Sequence, residues 1–164
     1  MKASAPSTGS KRPCVAKWAL PMEGGCRCGK IRFRIGEAPL LTMACHCTAC
    51  QRMSASAFST TVVVPTGGFD VIAGEPVIGG LHGKQVRHHH CDWCKSWVFT
   101  RVVPEQGFIN VRTGALDDPS WFAPFVETYV SEALPWAKTG AGHSYPQFPA
   151  IEEYGPLVAE FAAV

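Results

Sequence analysis

Seven of the chain's eight cysteines fall in three tight clusters: Cys26-x-Cys28, Cys45-x-Cys47-x-x-Cys50 and Cys91-x-x-Cys94. Cys14 stands alone near the start. Cysteines this close pair badly with one another as disulfides, and disulfide frameworks usually spread their cysteines. The first 20 residues also lack the apolar core of a secretory leader. Together these features favour metal ligation over oxidised pairing and predict a cytoplasmic protein.

Ligand count divides the clusters. In an extended segment, residues i and i+2 point to one face, so Cys26 and Cys28 can reach the same ion. Cys91 and Cys94 have the spacing of a zinc knuckle. A CxC pair and a CxxC pair supply four thiolates and close a tetrahedral structural zinc site, with Zn–S about 2.3 Å. Such a site staples two distant segments and contributes folding free energy directly. Cys45, Cys47 and Cys50 remain, with no partner cluster. Three protein ligands and an open fourth position is the arrangement of catalytic zinc. The sequence thus predicts two zincs per chain.

Three thiolates leave the complex with one net negative charge, so its zinc is a weak Lewis acid. It can still hold an incoming thiol deprotonated. A free thiol, with pKa ~8.5, is mostly protonated at neutral pH. Thiol activation therefore suits this site better than water activation. Other occupants of the fourth position stay open: Cys14 by swinging in, or His46. On a strand, though, His46 faces away from Cys45. A redox disulfide between Cys47 and Cys50 is a further reading.

The rest of the chain reads as one domain of mainly β structure. Lys30 to Ile35 alternates polar and apolar residues, as a half-buried strand does. Further strands are expected at Leu40–Ala44, Ala57–Val64, Phe69–Ala73, Val86–His90, Trp97–Val103, Phe108–Arg112 and Val126–Val130. Pro65 and Gly67-Gly68 end one of them. Only Thr48–Met53 and Ile151–Val164 read as helical, the second interrupted by Pro156. Residues 1–20 carry Lys2, Lys11, Arg12 and Lys17 with no Asp or Glu, a faint transit-peptide character. Pro6, Pro13 and the single arginine argue instead for a disordered tail. The expected division is a tail over 1–20, a zinc domain over 21–150 and a helical extension over 151–164. The formal net charge is only +2, which gives no electrostatic case for nucleic acid. No apolar run approaches the ~20 residues of a membrane span.

The stretches GGCRCGKIRF, CHCTACQR, HCDWC, GALDDP and PWAKTGAGHSYPQFP follow in this order. In these the chain resembles the glutathione-dependent formaldehyde-activating enzyme family, or CENP-V/GFA domain, over residues 23 to 149. The resemblance implies an Mss4-like (β-tent) fold of small antiparallel sheets stapled by zinc, with a short C-terminal helix. It implies structural zinc on Cys26, Cys28, Cys91 and Cys94, and catalytic zinc on Cys45, Cys47 and Cys50. It implies a carbon–sulfur lyase-type reaction, in which glutathione or a related thiol condenses with formaldehyde to S-hydroxymethylglutathione. A non-catalytic Mss4-like module that binds a protein partner is the competing reading.

Three departures from the family pattern stand out. Lys95 occupies a position that is commonly glycine and that requires positive φ, at a cost of ~1 kcal/mol. His88-His89-His90 stands where aromatic residues are more usual. The tail with Cys14 is additional. Several other residues are weaker candidates. Arg52 is a partner for a glutathione carboxylate. His88 and His90 share a strand face and could bind metal, although packing beside the structural zinc is the plainer reading. His143 is a candidate acid or base, Asp117-Asp118-Pro119 reads as a turn or helix start with catalysis as the rival reading, and Trp136 and Phe122 are pocket walls or core.

Overall fold

The computed structural model describes residues 18–80 and 83–164. Cys14 and the expected tail up to residue 17 lie outside the described residues. Among the described residues, eleven strands and two helices form, in chain order, β1 (Met22–Gly25), β2 (Arg32–Ile35), β3 (Leu41–Cys45), α1 (Thr48–Ser54), β4 (Ser59–Pro65), β5 (Phe69–Ala73), β6 (Val77–Ile78), β7 (Val86–His90), β8 (Trp97–Val102), β9 (Phe108–Arg112), β10 (Val126–Thr128), β11 (His143–Ser144) and α2 (Tyr154–Ala163). The architecture is mainly β with a short C-terminal helix, as the sequence predicts.

One sheet has three strands, in the order β1-β2-β5. The other has eight, in the order β11-β10-β3-β4-β9-β8-β7-β6. Most pairings are antiparallel, but β10 runs parallel to both β3 and β11. The parallel register sets Thr128 beside Cys45. On the other side of β3, Ser59 of β4 faces the same cysteine.

The sequence Val62-Val63-Val64 explains the centre of the molecule. A strand sends alternate residues to opposite faces, and an all-apolar run marks a strand covered on both. Val62 and Val64 enter one core with Phe33, Ile35, Phe69, Phe99, Ile109 and Val111. Val63 enters a second core with Leu41, Val126, Leu157 and Phe161. The three-stranded sheet therefore contributes to the first core, and α2 closes the second. Trp18, within the expected tail, packs against both cores and stacks on Phe161 with ring centroids 5.6 Å apart.

Pro156 does not interrupt α2. The helix begins at Tyr154, after a 3-10 turn over Ile151–Glu153, so the proline falls in the first turn. There its missing N–H would have no helical partner in any case. Three short strands, β1, β6 and β11, escape the sequence reading. In β1 a glycine serves close packing. A Cβ on Gly24 would lie 2.2 Å from the Ala115 carbonyl oxygen, and Gly24 bridges to Leu116. Glycine here allows close backbone approach.

Candidate metal centres

Both cysteine groups assemble. Cys26, Cys28, Cys91 and Cys94 have their sulfurs within 4.8 Å of one another. So do Cys45, Cys47 and Cys50, and among the described residues these two groups hold every such cluster. All seven thiols are free.

In the first group, Cys26 and Cys28 lie 3.5 Å apart and Cys28 and Cys91 3.7 Å. These are not disulfide distances, which are about 2.05 Å. They match the edges of about 3.8 Å of a tetrahedron whose centre is about 2.3 Å from each sulfur. Cys26 and Cys91 are buried in the first core. The Ile31 N–H donates to the Cys26 sulfur at 3.2 Å. The Cys91–Cys94 turn closes through Lys95 N–H to the Cys91 carbonyl at 3.0 Å. Lys95 stands at φ +58°, the left-handed conformation expected of a glycine at this position. A hydrogen bond to the Ser96 side chain holds the Cys94 thiol down at about 5.

The second group is built by the end of β3 and the start of α1. Cys45 closes the strand, Cys47 precedes the helix, and the Cys50 N–H donates to the Cys47 sulfur at 3.3 Å. Cys45 is held down to about 5, chiefly by a hydrogen bond with Cys50, and the same bond pushes Cys50 up. The same sulfurs would serve as ligands to a cation. The strand registers place Thr128 of β10 and Ser59 of β4 on either side of Cys45, so neighbouring strands flank the cluster. Glu132 accepts from both the N–H and the hydroxyl of Thr48, each at 2.6 Å, which fixes the start of α1.

His46 turns away from the sulfurs. It is fully buried, and its Nε2 lies 3.2 Å from Glu127. Burial pushes the Glu127 carboxyl up, but hydrogen bonds from Ser144, Thr139 and His46 outweigh it and hold the group below its ordinary range. His46 and Glu127 line a cavity of about 460 Å³ beneath the Ala133–Ala141 loop.

The remaining candidates separate. Arg52 is exposed on α1 and lines neither this cavity nor the larger groove. His88 and His90 both pack against Trp97, while His89 stacks on Phe99 at 4.5 Å. No histidine joins a metal cluster among the described residues. His143 meets Glu160 of α2 at 3.1 Å. Asp117 is tied to Arg32 by two hydrogen bonds, and Asp118 accepts from the Ser120 N–H. Phe122 packs on the first core, whereas Trp136 is 73% exposed.

Two residues near the second group carry no signal in the sequence. Tyr129 follows Thr128 in the left-handed region at φ +56°. Burial, and then the charge on Cys45 and Cys47, pushes its phenol up. Arg112, at the end of β9, donates from Nη1 to the hydroxyl of Ser59, the cross-strand partner of Cys45. Burial pulls its guanidinium down to about 10, with the charge on Cys50 and Cys45 opposing.

This is a mainly β domain whose seven thiols form one four-sulfur and one three-sulfur cluster, each of which could hold a metal ion. A model of the glutathione-dependent formaldehyde-activating enzyme family matches residues 21–132. The chain belongs to that family. Among solved structures, it is similar to a Rhodobacter sphaeroides protein determined as a structural genomics target. The identity is 16%, the TM-score 0.48, and the match covers 58% of this chain and 88% of that one. No curated protein matches the chain. Among the described residues, no helix is long and apolar enough to cross a membrane.

Proposed function

We propose that this chain is a zinc-dependent carbon–sulfur lyase-type enzyme, joining glutathione or a related thiol to formaldehyde as S-hydroxymethylglutathione. The observation that carries this reading is the difference in ligand count. One cluster offers four sulfurs, and the other offers three with no fourth Cys, His, Asp or Glu beside them among the described residues. All-sulfur sets with tetrahedral spacing suit zinc. Cys26, Cys28, Cys91 and Cys94 would hold the structural ion, and Cys45, Cys47 and Cys50 the catalytic one. Zinc bound at the three-sulfur site would supply an open position at which a thiol loses its proton.

The protein's own part is orientation. Ser59 and Thr128 flank Cys45 on the neighbouring strands, and the buried His46–Glu127 pair anchors the segment between the first two ligands. In the overall reaction the thiol sulfur forms a bond to the formaldehyde carbon. The C=O π pair moves to oxygen, which takes a proton as the thiol proton leaves to solvent. Holding both partners in place lowers the entropic part of the barrier.

The reaction also proceeds without an enzyme, so the test is acceleration over background. Zinc-loaded protein is mixed with glutathione and formaldehyde, and the exchange rate is read by NMR. The proposal expects a rate above buffer for the wild type and the buffer rate for Cys47→Ser. No acceleration by the wild type would favour the protein-binding module.

A further inference from the structure

The fold leaves one arginine with unspent donors at the edge of the second cysteine cluster. A groove of about 720 Å³ has Cys26 of the first cluster in one wall and Ser59, the cross-strand partner of Cys45, in another. Its volume falls in the range of small-molecule sites, ~300–1,000 Å³. Arg27, Arg32, Lys95 and Arg112 line it, against Asp117 as the one carboxylate. Three of these cations are accounted for. Arg32 is tied to Asp117, Lys95 to Asp92 at 2.9 Å, and Arg27 is exposed on the surface.

Arg112 differs. Among the described residues no carboxylate pairs with it. A guanidinium has five N–H donors. Here Nη1 reaches the Ser59 hydroxyl at 3.4 Å and Nη2 the Asn110 carbonyl at 3.5 Å. Both are longer than the usual N–H···O range of about 2.7–3.2 Å. Nε is buried without a partner. The guanidinium lies over the Trp97 ring, 4.2 Å from its centroid, which holds it in one orientation. The charge on Cys50 and Cys45 offsets part of the cost of burying this guanidinium, but its Nε is left without an acceptor that an anion in the groove would supply.

We propose that Arg112 and Trp97 form the anion subsite of this groove, and that its occupant is a carboxylate of the thiol substrate. The assignment rests on the reading of the chain as a glutathione-handling enzyme. Glutathione carries two carboxylates, and planar bidentate pairing with carboxylate is what a guanidinium does best. Ser59, the cross-strand partner of Cys45, accepts from Arg112 and so places the subsite next to the three-sulfur cluster, where a ligand anchored on the arginine has its thiol end close to the ligands. Arg112, not Arg52, is then the residue that selects an anionic thiol.

The experiment is calorimetric titration of the zinc-loaded protein with S-methylglutathione, which keeps both carboxylates but has no thiol proton and cannot turn over. Arg112→Gln should weaken binding on the order of tenfold or more, with zinc per chain unchanged. Arg112→Lys should recover part of the loss. Unchanged affinity in Arg112→Gln, or a loss caused by Arg52→Gln instead, would overturn the subsite. Loss of one zinc from Arg112→Gln would also overturn it, since the arginine would then serve only to balance the cluster's charge. If Arg112→Gln does not fold, the wild type is titrated with the dimethyl ester of S-methylglutathione. A loss of at least tenfold supports the subsite, and equal binding overturns it. Turnover is not needed, so Arg112-dependent binding stands even if formaldehyde addition is not accelerated. Acceleration with Arg112-independent affinity would refute the subsite alone.

Discussion

Lys95 sits in the left-handed region, where glycine is free and a side chain is strained. Its ammonium bonds Asp92, but both groups are largely exposed and such a pair adds little. Lys95→Gly should therefore stabilise the protein by about 1 kcal/mol, read as a raised midpoint in urea; a lowered midpoint would show that the ion pair outweighs the strain. Protons act at the same scale. Cys94 and Cys45 are both held down at about 5, so each cluster keeps a thiolate at neutral pH. Metal binding needs these sulfurs deprotonated, so protons compete with the metal. Zinc release to a chromogenic chelator should thus be absent at neutral pH and rise as the pH is lowered; release that does not change with pH would contradict thiolate ligation. The cysteine groups were legible in the sequence because ligand spacing is local, and the strain at Lys95 because the family pattern that the chain resembles has glycine there. Arg112 was not, since its meaning comes from Ser59 and Trp97 on other strands.

Helix α2 is held by two buried residues, Leu157 and Phe161. Phe161 stacks on Trp18 and meets Phe125 edge-on at 5.4 Å. Phe161→Ala should cost about 3 kcal/mol, measured by urea denaturation. A loss under ~1 kcal/mol would mean that α2 is not part of the second core. The sequence located α2 and α1 within a few residues, and most strands from their alternation. It could not locate β6 and β11, which have two residues each and exist only because a neighbour pairs with them. Nor could it give the parallel pairing of β10, which carries Thr128 to Cys45 across more than half the chain.

The whole molecule rests on the separation of its two clusters. The four-sulfur cluster joins the β1–β2 turn to the β7–β8 turn and is anchored in the first core through Cys26 and Cys91. The three-sulfur cluster is local to β3 and α1. Cys94→Ser should therefore unfold or aggregate the protein, while Cys47→Ser should keep the wild-type circular dichroism spectrum. Equal damage from both would remove the distinction between a structural and a functional site. This division was legible from ligand count alone, because a CxC and a distant CxxC need each other and a CxCxxC does not. The most direct measurement is zinc per chain by elemental analysis, on protein purified under reducing conditions without chelator. Two zincs in the wild type and one in Cys47→Ser are expected. One zinc in the wild type would leave only the four-cysteine staple and contradict the account of the second centre.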